Sequence, residues 1–487
     1  MSDRDLTVRL GRRTLGRRAV SLLGVTAALV LIAGGGSLLG AESATTSVNR
    51  IALPGRTTNV CTVSKDKNSR STVAAVGVRR EPARPGQLRV EPLSGGEGEL
   101  EITDQGKGKT LAQPEGSVLV SAVGVMATGA SAAVLETATT GEQAGLMAAP
   151  CSPPATLQWF PGIGSSGTNK TELILTNPDD SQAVVDLRFF GRDGRVPVPG
   201  SPNIAVAGRS TRTISIGTLV QTEGPLSVAV RTSSGRIAAV ARVLQRFKQA
   251  PAGADWQVGA AAPATSVVIP AIPDGDGVRR LTVTNPGTVR ATVTISALGV
   301  QGAFAPAGAE TVDVEPESTA EVDLGPGLAG EPGAIKLTSD LPVTGAVLFT
   351  ARRESAQGDV ALQPAAIPLV RDGVSAIATA NGTDSDLILT NGTEADTPVT
   401  FEVFSYAGVS LRTDDVLLAA NTTATRRLTS PAPSYVVVRV PHGSAIYGGV
   451  RLEQPEGHIS GLATIPLTSP DVASRAPVPV ANPAVGR

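Results

Sequence analysis

A stretch of about two dozen residues is written three times along this chain at a nearly constant step. It reads TELILTNPDDSQAVVDLRFFGRDG from Thr171, RRLTVTNPGTVRATVTISALGVQG from Arg279 and SDLILTNGTEADTPVTFEVFSYAG from Ser385, which places Asn177, Asn285 and Asn391 at intervals of 108 and 106 residues. A second landmark keeps the step: VAGRSTRTISI, VEPESTAEVDL and LAANTTATRRL, marked by Ser210, Ser318 and Thr422. A period just above one hundred residues is a domain length, so the chain is read as a tandem array before any other question is asked.

Inside each copy the apolar period is two. Leu173, Leu175, Val185, Leu187 and Phe189 in one copy correspond to Leu281, Val283, Val293, Ile295 and Ala297 in the next and to Leu387, Leu389, Val399, Phe401 and Val403 in the last. Polar residues such as Asp186, Arg188, Thr294, Ser296, Thr400 and Glu402 stand between them. Alternation of this kind predicts strands with one buried and one solvated face, as an antiparallel sandwich requires. The Asn-Pro or Asn-Gly at the centre predicts a turn, in which the asparagine side chain bonds to the backbone two residues on and closes the link between two core strands. Glycine (54) and proline (36) are frequent enough to punctuate many short strands, yet Val, Leu and Ile remain plentiful. The expected fold is therefore all-β: tandem immunoglobulin-like or fibronectin-like sandwiches, although the Cys-Trp-Cys spacing of true immunoglobulin domains is missing.

GSVLVSAVGVMATGASAAVLETATTGEQAGLMAAP, ending at Pro150, runs parallel to the end of the next copy and marks a divergent first domain. The boundaries follow: sandwiches over 47–152, 153–262, 263–363 and 364–468, joined by short proline-containing links, with a Pro/Ala-rich tail over 469–487. A basic N-terminus, 1–18, precedes an uncharged run over 19–41. As a helix, 23 residues rising about 1.5 Å each would cross a bilayer core of about 30 Å. Arg9, Arg12, Arg13, Arg17 and Arg18 would hold its N-terminal side in the cytoplasm. We expect an N-terminal transmembrane helix, a single-pass anchor with the bulk outside; secretion after signal cleavage is the alternative. An exported chain favours a disulfide between Cys61 and Cys151, 90 positions apart.

Lysine plus arginine (42) balances aspartate plus glutamate (43), so nothing points to nucleic acid. No cofactor or metal is expected. The two histidines, His442 and His458, sit in turn-like contexts without a cysteine or carboxylate cluster. GIGSSG (Gly162 to Gly167) matches the dinucleotide fingerprint in letters, but a strand pattern follows it where a helix is needed, which argues against a nucleotide. DGDG (Asp274 to Gly277) lacks the glutamate of a calcium loop and reads as a polar turn. No catalytic residues are assigned. Trp159 and Phe160, at the first domain junction, are the candidate interface pair, wedging two sandwiches or exposed to a partner.

AAPC (Ala148 to Cys151), WFPG (Trp159 to Gly162) and LTNP (Leu175 to Pro178) give the chain a resemblance to an uncharacterised family of membrane-anchored or secreted actinobacterial proteins with immunoglobulin-like repeats. The resemblance implies an envelope-facing protein and supplies no catalytic residues. The expected function is binding or structural. Four sandwiches in line on one anchor would form a rod presenting its solvent faces and joins to a cell-wall polymer or an envelope protein. A glycan-acting enzyme, or an accessory subunit of an envelope-assembly complex, is the alternative.

Overall fold

In a computed structural model the residues described are 50–52, 55–64, 66–79, 85–247, 250–325, 328, 330–351, 358–454, 461–470 and 474–476. One compact unit spans Leu53–Ala473, and within it the chain builds the same sandwich four times. The fourth shows the plan. Its strands are Asp372–Thr379, Asp384–Asn391, Thr397–Ser405, Ser410–Leu418, Thr423–Leu428, Ser434–Arg439, Ile446–Gln454 and Gly461–Pro466. The first, sixth, third and fourth pair in that order in one sheet; the fifth, second, seventh and eighth pair in the other. The other three sandwiches keep this order, all of it antiparallel. In the third, the sixth and seventh strands merge into one long strand, Gly333–Thr350, which passes from one sheet to the other.

The all-β expectation holds, and the immunoglobulin-like or fibronectin-like expectation holds only as far as a two-sheet antiparallel sandwich. Immunoglobulin domains set their first, second, fifth and fourth strands in one sheet and the third, sixth and seventh in the other. Here the second–fifth and third–sixth pairs are the same, but the first strand pairs with the sixth and the seventh with the second. The alternating residues fill the cores: Leu173, Leu175, Val185, Leu187 and Phe189 share one cluster, Leu281, Val283, Val293, Ile295 and Ala297 another, and Leu387, Leu389, Val399, Phe401 and Val403 a third.

The sandwiches do not lie in line; they close into a ring. The eighth strands, Gly145–Pro150, Ala250–Val258, Val360–Pro364 and Gly461–Pro466, meet at the centre, each beside the next and the last beside the first. Around the outside, the hairpin after the third strand of one sandwich sits on the fifth strand of the following one. Thr319 Oγ1 donates to the Phe190 carbonyl (3.0 Å), Thr423 Oγ1 to the Leu298 carbonyl (2.7 Å), and the Gly108 amide to the Tyr406 carbonyl (2.9 Å), while Arg209 pairs with Glu91 (3.8 Å). These four contacts link second to third, third to fourth, fourth to first, and first to second. The rod is therefore replaced by a ring, because the eighth strand of each sandwich is an edge that must find cover.

The second unit, Met1–Ala52 with Ser474–Arg487, contains an antiparallel pairing of Arg50–Ala52 with Ser474–Ala476. Among the described residues no helix is long and apolar enough to cross a membrane; the 19–41 run and most of the 469–487 tail lie outside them.

Candidate functional site: the ring centre and its mouth

Where four sheet edges converge, backbone amides lose water without gaining a full ladder partner, and an unpaired buried amide costs about 1–3 kcal/mol. Two carboxylates answer this. Asp359 Oδ2 accepts from the amides of Leu146 and Leu462 (both 2.8 Å) and its Oδ1 from Val360 (2.9 Å), so one side chain holds the first, third and fourth sandwiches together. Asp255 Oδ2 accepts from Leu362 (2.8 Å) and its Oδ1 from Trp256 (2.8 Å) and Ala148 (3.4 Å), joining the second to the third and first. Both are 0% exposed. Burial pushes Asp359 up to about 7 against the amide bonds from Leu146, Leu462, Val360 and Ala254, and pushes Asp255 well above the usual carboxylate range, with the neighbouring Asp359 adding to the rise.

The space for Asp359 is made by glycine. Counted back from the ends of the eighth strands, Gly145, Gly253 and Gly461 occupy the place that Asp359 occupies in the third sandwich. A Cβ on Gly145 or Gly253 would lie 2.5 Å from Asp359 Oδ1, and both glycines have positive φ, 145° and 109°. Two missing side chains thus admit one charged one, while the third, at Gly461, clears Leu146.

Above this centre the joins after the eighth strands open into a cavity of about 980 Å³. Its lining carries Arg56, Glu91, Asp179, Asp180, Arg209 and Arg236. Arg236 grips Asp179 through two bonds of 2.9 Å, which holds the Asp179 carboxyl below its ordinary value, and Arg209 reaches Asp180 (2.9 Å). Ile367, Leu369 and Leu467 add aliphatic surface to the lining, Ile367 at 59% exposure.

Residues 103–429, two thirds of the chain, match the family of unknown function DUF5719. The chain belongs to this DUF5719 family. No curated protein matches it. Among solved structures, it is similar to Thermotoga maritima 1070 (16% identity, TM-score 0.18, over 21% of this chain and 94% of that one). It is also similar to an alpha-L-rhamnosidase of Streptomyces avermitilis complexed with L-rhamnose (11% identity, TM-score 0.12, over 78% and 54%). The DUF5719 match takes in Asp255, Asp359 and all three repeated asparagines, while Cys61 and Gly461 fall outside it.

Of the residues singled out from sequence, Cys61 and Cys151 form a disulfide that ties the first strand to the first join, and Cys151 lines the mouth. Each asparagine is 0% exposed at the end of a second strand, and Asn177 braces the 178–181 turn that lines the mouth. Asn285 Oδ1 accepts from the Gly287 amide (2.9 Å) while its Nδ2 donates to the carbonyls of Val289, Val314 and Glu315; Asn177 and Asn391 repeat the arrangement. Their side chains thus also reach the carbonyl at the end of the fourth strand, Val206, Val314 or Leu418, in the opposite sheet. Trp159 and Phe160 separate. Phe160 belongs to the core of the second sandwich, and Trp159 packs on the other face against Phe190, Ala229 and Ala260, the last in the join to the third sandwich.

GIGSSG runs from strand to strand, and the DGDG turn lends the Gly275 and Gly277 carbonyls to the buried Arg279 guanidinium, which stacks on Phe349 (4.9 Å). His442 is exposed in its turn, and His458 lies outside the described residues. Among the described residues no group of His, Cys, Asp or Glu could hold a metal. Sequence reasoning missed Asp255 and Asp359. The signal for Asp359 was an aspartate standing where the other copies have glycine, and for Asp255 an aspartate where they have Met147, Ala361 and Ala463, visible once the copies are aligned through the ends of their eighth strands.

Proposed function

We propose that this DUF5719 protein is a non-catalytic binding and structural protein of the cell envelope, held outside the cytoplasmic membrane by the 19–41 segment, with the ring's mouth as its contact site. The observation that carries this reading is the mouth itself: four joins of one repeated fold converge on a cavity lined by both charged and aliphatic side chains. Such a surface suits an extended envelope polymer or a protein segment that presents both polar and apolar groups, and the closed ring keeps it preformed. A glycan-acting enzyme is disfavoured because hydrolysis needs two carboxyl groups open to a sugar. The strongly perturbed Asp255 and Asp359 are buried among backbone amides, and Glu91, Asp179 and Asp180 at the mouth are engaged by Arg209 and Arg236. Photocrosslinkers placed at Ser181 and Ile367 in intact cells are expected to capture an envelope partner that one at the exposed Val289, on the third sandwich, does not. Equal capture from all three positions, or hydrolysis of wall glycans by the purified chain, would overturn the proposal.

A further inference from the structure

The four sandwiches differ most at their fourth strand, which is the outer edge of the first sheet. In the first sandwich it is Leu100–Ile102, three residues. In the second it is broken into Gly194–Val196 and Ile204–Val206, and in the third into Ala303–Phe304 and Thr311–Val314. Short and interrupted edges of this kind resist pairing with other chains. The fourth sandwich instead has Ser410–Leu418, nine residues without a break, and among the described residues nothing pairs with its outer side.

The faces of this strand follow from its register. Arg412, Asp414, Val416 and Leu418 lie opposite Val403, Phe401, Val399 and Thr397 and share the inward face. Thr413, Asp415 and Leu417 face outward, Leu417 at 67% exposure; Leu411, the extra residue of a bulge at the strand's start, is 38% exposed. Outward leucines on an unbroken edge are what the other three copies avoid. The order of the outward residues is also self-complementary. If a second copy pairs antiparallel about Asp414, Leu411 meets Leu417 and Thr413 meets Asp415, each contact made twice by the twofold axis, while Asp414 on the inward face meets its own copy with Arg412 beside it to offset the like charge. A shift of one residue would turn the leucines inward on one strand and outward on the other.

From this we infer that Ser410–Leu418 is a homodimerisation edge, at which two copies of the chain join their fourth sandwiches into one continuous sheet. The partner it fits is a second copy of itself, because every outward residue of the strand finds its match in the same strand reversed. This surface is separate from the mouth, so either can fail without the other.

The test uses the full chain purified in detergent with its native disulfide. A variant carrying Leu411→Cys with Leu417→Cys should give covalent dimers on mild oxidation, at least tenfold more than a control carrying Val289→Cys with Val300→Cys on the third sandwich. In sedimentation experiments the unmodified chain should dimerise. Thr413→Asp with Leu417→Asp, which sets a like charge against Asp415 and a charge against Leu411, should weaken the dimer at least tenfold while leaving the melting midpoint within a few degrees. A chain that stays monomeric up to about 100 µM, or cysteines that crosslink no better than the control, would overturn the inference. So would capture of a different protein by the same cysteine pair in intact cells.

Discussion

The asparagine turns and the ring centre solve one problem in two ways. At both, a side chain takes up backbone groups that no neighbouring strand can reach. Asn177, Asn285 and Asn391 do it within one sandwich, bonding to carbonyls 4 to 30 residues away, and the solution is copied in each repeat that carries it. Asp255 and Asp359 do it between sandwiches, with amides 103 to 213 residues away, and each occurs once. What is repeated in this sequence therefore builds the sandwich, and what departs from the repeat builds the ring.

The comparison breaks most sharply at the glycines around Asp359. Gly253→Val adds a Cβ to a residue at φ 109° and presses it against a carboxylate 2.5 Å away. A loss above about 4 kcal/mol is expected, enough to prevent recovery of folded chain or to lower its melting midpoint by more than about 10 °C. Gly302→Val, also at positive φ (142°) but with open space around it, isolates the backbone part and should cost only about 1–2 kcal/mol. Equal losses from the two would show that the ring centre is not tightly closed.

A second difference is in pH. Asp359 keeps its proton up to about pH 7 in the ring, whereas the unfolded chain releases it near the ordinary 3.8. The folded state therefore binds more protons at Asp359 between these values, so the stability that this group contributes falls as pH rises from about 4 to about 7. Asp359→Asn should flatten that slope in melting curves recorded across the range. The variant should also be less stable than the parent at pH 5, where the amide keeps only one accepting oxygen for the amides of Leu146, Leu462 and Val360. The asparagine turns carry no charge, and Asn285→Ala should lower the midpoint by a similar amount at every pH. Its four lost bonds are worth about 2–3 kcal/mol.

The same divide explains how much the sequence disclosed. Leu173, Val185, Leu281, Val293, Leu387 and Val399 announced their burial by period alone, because the facing residues of a strand pair are near in sequence and alternate by geometry. The cysteines could be paired because only two exist. Strand order within the sandwich was hidden, since the first–sixth pairing depends on which edge each long connection returns to, and no residue marks that choice. Ring closure was hidden for a related reason: Gly106 and Tyr435 are 329 residues apart, and a glycine-rich loop read in isolation is only a polar loop. Phe160 and Trp159 looked alike as neighbours in sequence; alternation sent one to the core and the other toward a join.

The closing seam between the fourth and first sandwiches offers the finest comparison. There Phe404, Tyr406 and Tyr435 stack, with ring centres 5.2 and 6.3 Å apart along the row, and Tyr435 donates its hydroxyl to the Gly106 carbonyl (2.5 Å). Tyr406 donates instead to the Ala376 carbonyl within its own sandwich (2.9 Å). Burial pushes both phenols above their ordinary value, so each remains a donor throughout the accessible pH range. Tyr435→Phe and Tyr406→Phe each remove one hydrogen bond and leave the stack in place, at about 1 kcal/mol and a degree or two of melting midpoint. Their difference is in where the loss is felt. Tyr435→Phe should speed amide exchange in the 104–109 loop of the first sandwich, as the seam opens more often, and Tyr406→Phe should act mainly around Ala376. If neither variant alters exchange in that loop, the seam is held by the Gly108–Tyr406 backbone bond and by the apolar cluster in which Val76 and Val78 join Val374 and Ala376.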